Sequence, residues 1–215
     1  MKSKSIGSSK YFTFQEFEET VKKGPTSPRM MASDYANKAR EKRDKYTYKT
    51  GATYEGEWKG NFRDGKGTQT WPDGAKYVGD WRDNKAFGQG KFIHVDGDIY
   101  EGNWANDKAS GFGVYKHVNG AMYQGYWKFD LQHGLGLETW MDNSQYQGYY
   151  DNGRKHDLGT YVWNDGSKYT GDWKLNKICG IGIYEWLDGR SYEGEWYDNN
   201  MQGIGVYKWN DGRKY

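Results

Sequence analysis

Tyr54-Glu55-Gly56-Glu57-Trp58 returns unchanged as Tyr192-Glu193-Gly194-Glu195-Trp196, and slightly altered as Tyr77-Val78-Gly79-Asp80-Trp81. Tyrosine recurs at 54, 77, 100, 123, 146, 169, 192 and 215, a spacing of 23 residues without a slip, so seven full units occupy 54–214. Two residues after each Tyr stands a glycine: Gly56, Gly79, Gly102, Gly125, Gly148, Gly171 and Gly194. Four residues after it stands a second ring: Trp58, Trp81, Trp104, Trp127, Tyr150, Trp173 and Trp196. The remaining tryptophans, Trp71, Trp140, Trp163, Trp186 and Trp209, share one further phase, so all 11 Trp obey the period. A glycine pair such as Gly65/Gly67 or Gly111/Gly113 marks the middle of six units, and one unit reads Asp157/Gly159 instead. Each unit closes on Asp-Gly or a close variant, as at Asp73-Gly74, Asn119-Gly120 and Asp142-Asn143.

Tyr-x-Gly-x-Trp alternates with period two, which places ring, glycine and ring on one face of a β-strand. Asp-Gly between alternating segments predicts a mirror-image turn with positive φ at both central residues. Each unit is then a two-stranded hairpin that is marginal alone and stable only against its neighbours. The expected fold is all-β, an elongated, twisted antiparallel sheet. Two strands advance roughly 9.6 Å per unit, so seven units span on the order of 65–70 Å. The seven glycines are structural, letting rings lie flat on the backbone.

Composition agrees. Leu, Ile and Val number only 20 among 215 residues, too few for a helical bundle or a doubly wound nucleotide-binding domain. The 11 Trp and 20 Tyr supply the missing apolar area, and a net charge of +2 gives no strong self-repulsion. No apolar run reaches the length of a membrane span, and Met1-Lys2-Ser3-Lys4 has no signal-peptide character. The lone Cys179 has no internal disulfide partner, and a cytoplasmic protein is the expectation.

These residues, Tyr-Glu-Gly-Glu-Trp at 54–58 and 192–196, Tyr-Val-Gly-Asp-Trp at 77–81, Gly-Lys-Gly-Thr at 65–68 and the 23-residue pitch, resemble the MORN (membrane occupation and recognition nexus) repeat. The likeness covers 54–215, with a half-unit over 46–53 that keeps Gly51 in phase. It implies an open half-pipe sheet, and stand-alone arrays of this family are similar to cytoskeletal and ciliary components such as radial-spoke head proteins. Unit 146–168 departs from the pattern at Tyr150 and Asp157.

Residues 1–45 form a different segment. Residues 1–53 carry 12 Lys/Arg against 6 Asp/Glu, a net of +6, whereas the rest of the chain carries 19 against 23, a net of −4. Residues 1–10 read as a basic tail. Thr13-Phe14-Gln15-Glu16 is a capping box, Phe12 and Phe17 are placed for a hydrophobic staple, and Lys22-Lys23-Gly24-Pro25 is a stop, which predicts a helix over 13–23. After a linker at Thr26–Ala32, Ser33 caps a second expected helix over 34–45. The face made by Phe12, Phe14, Phe17 and Val21 either folds back onto the sheet or docks on another protein. With the exposed sheet tryptophans Trp71, Trp140, Trp163, Trp186 and Trp209 it makes up the candidate partner-binding set.

No catalytic, cofactor or metal constellation emerges. His94 and His117 share a phase, but equivalent positions lie roughly 9.6 Å apart, too far to hold one zinc. The glycine pairs lack the helix N-terminus and Lys-Ser/Thr of a phosphate loop. Aspartates at the turns are explained by turn chemistry. An array richer in acids than bases disfavours nucleic acid and leaves membrane-lipid binding weak or absent. The reading is therefore a non-enzymatic scaffold that binds other proteins of a cytoskeletal assembly, the ciliary axoneme foremost, with self-association as a further expected contact. The alternatives are a peripheral phosphoinositide-binding adaptor, or a regulatory module of an enzyme whose catalytic part lies elsewhere. Because the last unit is intact up to Tyr215, the C-terminal edge around Val206–Trp209 is expected to be covered by further chain, a partner or a second copy.

Overall fold

The structure is a computed structural model that describes residue 6, residues 10–21 and residues 38–215, without the side chains of Phe14, Phe17 and Val21. The basic tail apart from Ile6 and Lys10, the Lys22–Pro25 stop, the Thr26–Ala32 linker and the Ser33 cap lie outside the described residues. One helix, α1 (Phe14–Val21), precedes fifteen strands. These are β1 (Arg40–Thr47), β2 (Thr53–Lys59), β3 (Phe62–Thr70), β4 (Lys76–Arg82), β5 (Lys85–Ile93), β6 (Ile99–Ala105) and β7 (Lys108–Lys116). They continue as β8 (Met122–Lys128), β9 (Leu131–Thr139), β10 (Gln145–Asp151), β11 (Arg154–Val162), β12 (Lys168–Lys174), β13 (Lys177–Glu185), β14 (Ser191–Tyr197) and β15 (Asn200–Lys208). All are antiparallel in an open sheet whose order is the order of the sequence. The chain divides into two compact bodies, an N-terminal one to Val118 and a C-terminal one from Asn119.

Every unit repeats the same bonds. The leading tyrosine is buried in all seven, and its hydroxyl donates to the carbonyl three residues on, as from Tyr54 to Glu57 (2.9 Å), Tyr100 to Asn103 (2.9 Å) and Tyr192 to Glu195 (3.2 Å). Its ring lies over the two glycines that face each other across the hairpin, Gly56 and Gly67 in the first unit, so a Cβ on Gly67 would stand 2.2 Å from the Tyr54 hydroxyl. The second ring stands edge-on to its own tyrosine and to the preceding one: Trp81 is 5.0 Å from Tyr77 and 5.4 Å from Tyr54. Indole nitrogens of Trp81, Trp104, Trp173 and Trp196 donate to the glycine carbonyl of the unit before. Burial pushes the phenol pKa values of Tyr54, Tyr77, Tyr146 and Tyr169 upward, so these rings stay neutral.

The departures in unit 146–168 are absorbed. Tyr150 takes the tryptophan place, edge-on to Tyr123 and Tyr146, and donates to Glu138 (2.8 Å) instead of a backbone carbonyl. Asp157 adopts the left-handed φ of 51° that glycines hold in other units.

Turn geometry differs from the expectation. At Asp73-Gly74 only Gly74 has positive φ; its N–H bonds the Trp71 carbonyl, and the Asp73 carboxylate accepts the Ala75 N–H (3.1 Å). This is a three-residue loop closed by a left-handed glycine. The mirror-image turns sit at the other hairpin, at Asp83-Asn84, Asn106-Asp107, Phe129-Asp130, Leu175-Asn176 and Asp198-Asn199, all with positive φ. They are held by the preceding unit. The Asn84 side chain accepts the Arg63 N–H (2.7 Å) and its own N–H reaches the Arg63 carbonyl (3.1 Å). Asn176 with Lys155 and Asn199 with Ile178 repeat the staple 21 residues apart.

Two expectations near the N-terminus are corrected. Residues 40–45 are not helical: they belong to β1, which pairs antiparallel with β2 from Arg40↔Lys59 to Thr47↔Thr53. The free edge of β2 outweighs the helix preference of this charged stretch, because pairing satisfies its ladder and sets Lys42 opposite Glu57. Arg40 also reaches Asp64 (2.6 Å). Helix α1 forms where expected, but the Glu16 carboxylate is buried among side chains of β3 and of the turn after β1, so tertiary contacts claim the residue expected to close a capping box.

Candidate functional site

The ring-bearing face carries, beyond the buried Tyr-Gly-Trp layer, two further positions per unit. One is the phase of Trp71, His94, His117, Trp140, Trp163, Trp186 and Trp209. The other, two residues earlier, holds Gln69, Phe92, Tyr115, Glu138, Tyr161, Tyr184 and Tyr207. Period two on one strand puts both on the same face.

In the N-terminal body the chain itself covers the first four of these positions, Gln69, Trp71, Phe92 and His94. Tyr11 packs on Trp71 (5.2 Å) and Phe92 (5.2 Å), and Phe12 on Trp71, Tyr77, Trp81, Phe92 and Trp104 at 5.3–6.2 Å. Trp71 is buried as a result. Helix α1 lays down Glu16, Glu19 and Thr20, which share a face at spacings of three and four residues. Glu16 accepts from Gln69 and from Thr50 and lies 3.8 Å from the Arg63 guanidinium. Glu19 accepts from the Tyr46 hydroxyl (3.0 Å) and the Lys49 N–H (2.9 Å). Arg63 stands over the Trp81 ring (4.3 Å) and donates to Gln69 and to the Asn84 carbonyl (2.7 Å). Burial raises the Glu16 pKa, against the opposing pull of Arg63, Gln69 and Thr50. Of the helix-face candidates, Phe12 thus packs on its own sheet; the side chains of Phe14, Phe17 and Val21 lie outside the described residues.

In the C-terminal body the same positions form a ladder of seven half-buried rings: Trp140, Tyr161, Trp163, Tyr184, Trp186, Tyr207 and Trp209. Consecutive centroids are 4.6–5.5 Å apart. Tyr161 and Tyr184 point their hydroxyls at Ser144 and Ser167, and Arg190 donates to the Tyr207 hydroxyl, so the polar tips are fixed and the ring faces remain. Lys155, at the phase of Arg63, lies 4.9 Å from the Trp140 ring, 5.6 Å from Tyr161 and 3.8 Å from Glu138. Burial lowers its pKa, and Glu138 opposes that shift.

The histidines serve as rings and hydrogen-bond partners. His94 is edge-on to Phe92 (4.5 Å), and His117 meets buried Asp98 through Nδ1 (2.9 Å), beside the Tyr115 hydroxyl (2.7 Å). Among the described residues no three His, Cys, Asp or Glu side chains converge as metal ligands. Sequence reasoning found the five tryptophans and missed the tyrosine rungs between them, although Tyr161, Tyr184 and Tyr207 follow the same 23-residue period. It also missed Arg63, Lys155, Glu16 and Asp98, whose roles depend on partners distant in sequence.

No described helix is long and apolar enough to cross a membrane. No curated protein sequence matches the chain. Among solved structures, the TCP domain of Drosophila melanogaster SAS-4 (dCPAP), in complex with a proline-rich motif of Ana2 (dSTIL), is 12% identical with a TM-score of 0.45; the match covers 81% of this chain and 87% of that one. The TCP10 domain of Danio rerio CPAP is 11% identical with a TM-score of 0.46, covering 80% and 81%. Virginiamycin B lyase from Staphylococcus aureus is 12% identical with a TM-score of 0.17, covering 85% and 71%. The MORN repeat model matches seven consecutive times, at 54–76, 77–99, 100–122, 123–145, 146–168, 169–189 and 192–212. With this period, these repeated bonds and these seven matches, the chain belongs to the MORN-repeat family.

Proposed function

We propose that the chain is a non-enzymatic scaffold that binds other proteins of a cytoskeletal assembly, with the ciliary axoneme as its address. The observation that carries this is the seven-ring ladder from Trp140 to Trp209. In the N-terminal body the chain covers Trp71, Phe92 and His94 with Tyr11 and Phe12; in the C-terminal body the rings stay half-buried. Preset rings with anchored polar tips suit a protein partner, since they offer large contact area at little cost in side-chain entropy. The cytoskeletal and axonemal address rests on family resemblance.

A test uses the tagged full chain in ciliated cells, followed by detergent extraction. The wild-type chain is expected in the axonemal fraction, and Trp163→Ala/Trp186→Ala in the soluble fraction while its circular dichroism spectrum shows it still folded. A wild-type chain that extracts freely removes the axonemal address. A double variant that stays bound removes the ladder as the contact surface.

A further inference from the structure

Three of the four tryptophans in the C-terminal ladder carry a cation of the chain itself. Lys155 lies 4.9 Å from the Trp140 ring, the Arg190 guanidinium 5.3 Å from Trp186 and the Arg213 guanidinium 5.6 Å from Trp209. Arg190 is held by three groups. Its Nε donates to Asp188 Oδ2 (2.7 Å), its Nη1 donates to the Tyr207 hydroxyl (3.1 Å), and the Trp186 ring offers its face. Arg213 repeats the bond to Asp211 Oδ2 (2.7 Å) over Trp209. In both turns the other carboxylate oxygen, Oδ1, accepts the arginine's own backbone N–H (3.1 Å), which fixes Oδ2 beside the ring.

Trp163 is the exception. One unit before Arg190 the same frame stands complete except for the arginine: Trp163 matches Trp186, Asp165 matches Asp188, Tyr184 matches Tyr207, and Ser167 replaces Arg190. The rings keep their spacing, with Trp163 and Tyr184 5.0 Å apart against 5.5 Å for Trp186 and Tyr207. Asp165 Oδ1 accepts the Ser167 hydroxyl (2.6 Å) and N–H (2.9 Å), and these bonds hold the carboxyl below its ordinary pKa, so it is charged at neutral pH. Among the described residues no donor meets Asp165 Oδ2 and no cation lies over Trp163. The N-terminal body shows how such a position is filled from elsewhere. Ala75 stands in the arginine place there, and Lys10, which is not on the sheet, reaches Asp73 Oδ2 (3.5 Å) while Tyr11 covers Trp71.

We propose that Trp163, Asp165 and Tyr184 form a seat for an arginine side chain of a partner protein, an assignment that rests on the ladder being the contact surface. The partner's guanidinium completes from outside the frame that Arg190 and Arg213 complete from within. A guanidinium fits better than an ammonium, because one planar group stacks on the indole and donates along its edge to a carboxylate and a hydroxyl. The Tyr184 hydroxyl donates to Ser167 (3.1 Å) and keeps its lone pairs for that contact. Charge agrees with a basic partner segment: residues 119–215 carry 10 Lys/Arg against 13 Asp/Glu, a net of −3.

The test follows the indole N–H resonances of the full chain by NMR during titration with N-acetyl-arginine amide. The Trp163 resonance is expected to move with a millimolar dissociation constant. N-acetyl-citrulline amide, the uncharged isostere, and N-acetyl-lysine amide should each bind several-fold more weakly. Asp165→Asn should weaken the arginine response several-fold. Ser167→Arg should abolish it, because the chain's own guanidinium then takes the seat as Arg190 does one unit on, and circular dichroism establishes that both variants fold. An equal response to citrulline or lysine, or an arginine response that Ser167→Arg leaves intact, overturns the seat. Detergent extraction from ciliated cells separates this from the ladder itself. Ser167→Arg is expected in the soluble fraction; if it stays on the axoneme while Trp163→Ala/Trp186→Ala is released, the ladder holds the partner by something other than an arginine. A chain that dimerises at micromolar concentration and becomes monomeric on Ser167→Arg overturns the partner as the source, since the arginine then comes from a second copy.

Discussion

Gly102 and Gly113 face each other across β6 and β7 so closely that a Cβ on Gly102 would stand 2.4 Å from the Gly113 Cα and 2.6 Å from the Phe112 carbonyl oxygen. Both obstacles are backbone, which cannot swing aside as a side chain does. Gly125 meets the same pair of obstacles at 2.6 Å, with the Tyr123 hydroxyl also at 2.6 Å. Gly102→Val or Gly125→Val should therefore destabilise by about 3 kcal/mol or more through overpacking. A thermal melt within a degree or two of wild type would contradict this.

Asn84 offers a graded test of the staple between units. Asn84→Gly keeps the φ of 67° but removes the side-chain acceptor of the buried Arg63 N–H, at about 1–3 kcal/mol. Asn84→Ala loses the same bond and adds left-handed strain of about 1 kcal/mol. Urea titrations should rank wild type above glycine, and glycine above alanine. Equal midpoints for the two variants would show that the turn carries no strain.

Seating of α1 should respond to acid through Glu16. Burial raises its pKa in the folded chain above the unfolded value, so the neutral form is favoured on the sheet. Its stabilisation is then fully present below the ordinary glutamate value and is lost as pH rises through the raised one. Trp71, beneath Tyr11 and Phe12, is a built-in fluorescence reporter. Glu16→Gln should flatten the pH response and leave stability at neutral pH equal or higher. Parallel pH profiles for the two proteins would defeat the assignment.

Lipid affinity should be weak and electrostatic. The +6 of residues 1–53 faces a net −4 over the rest of the chain. Flotation with phosphoinositide vesicles should show little binding at physiological salt and none at higher salt. Tight binding that resists salt would favour the membrane adaptor.

How far the sequence could be read depended on how local each interaction is. Tyr54, Gly56 and Trp58 announce their strand, their face and their neighbours, because period two and period 23 together leave one arrangement. Asp73-Gly74 announced a turn but not its type, and the mirror-image turns passed unnoticed at Phe129-Asp130 and Leu175-Asn176. Positive φ at a phenylalanine or a leucine is a conformation no propensity rule proposes. The Arg40–Lys45 stretch read as helix because its charged side chains favour one, whereas the unpaired edge of β2 makes it a strand. Glu16 read as a local cap because Gln69, which donates to it from the sheet, lies 53 residues away.

The staple at Asn84, Asn176 and Asn199 bears on how such a chain can change length over evolutionary time. Each joins a unit to its immediate predecessor through the same two backbone groups. Duplication or loss of a 23-residue block inside either body would reproduce those bonds at the new junction, whereas 22 or 24 residues would shift every ring to the wrong place. Copy number is thus a variable that recombination can adjust in whole steps, and the gene encodes a ruler whose graduations are fixed while its length is free.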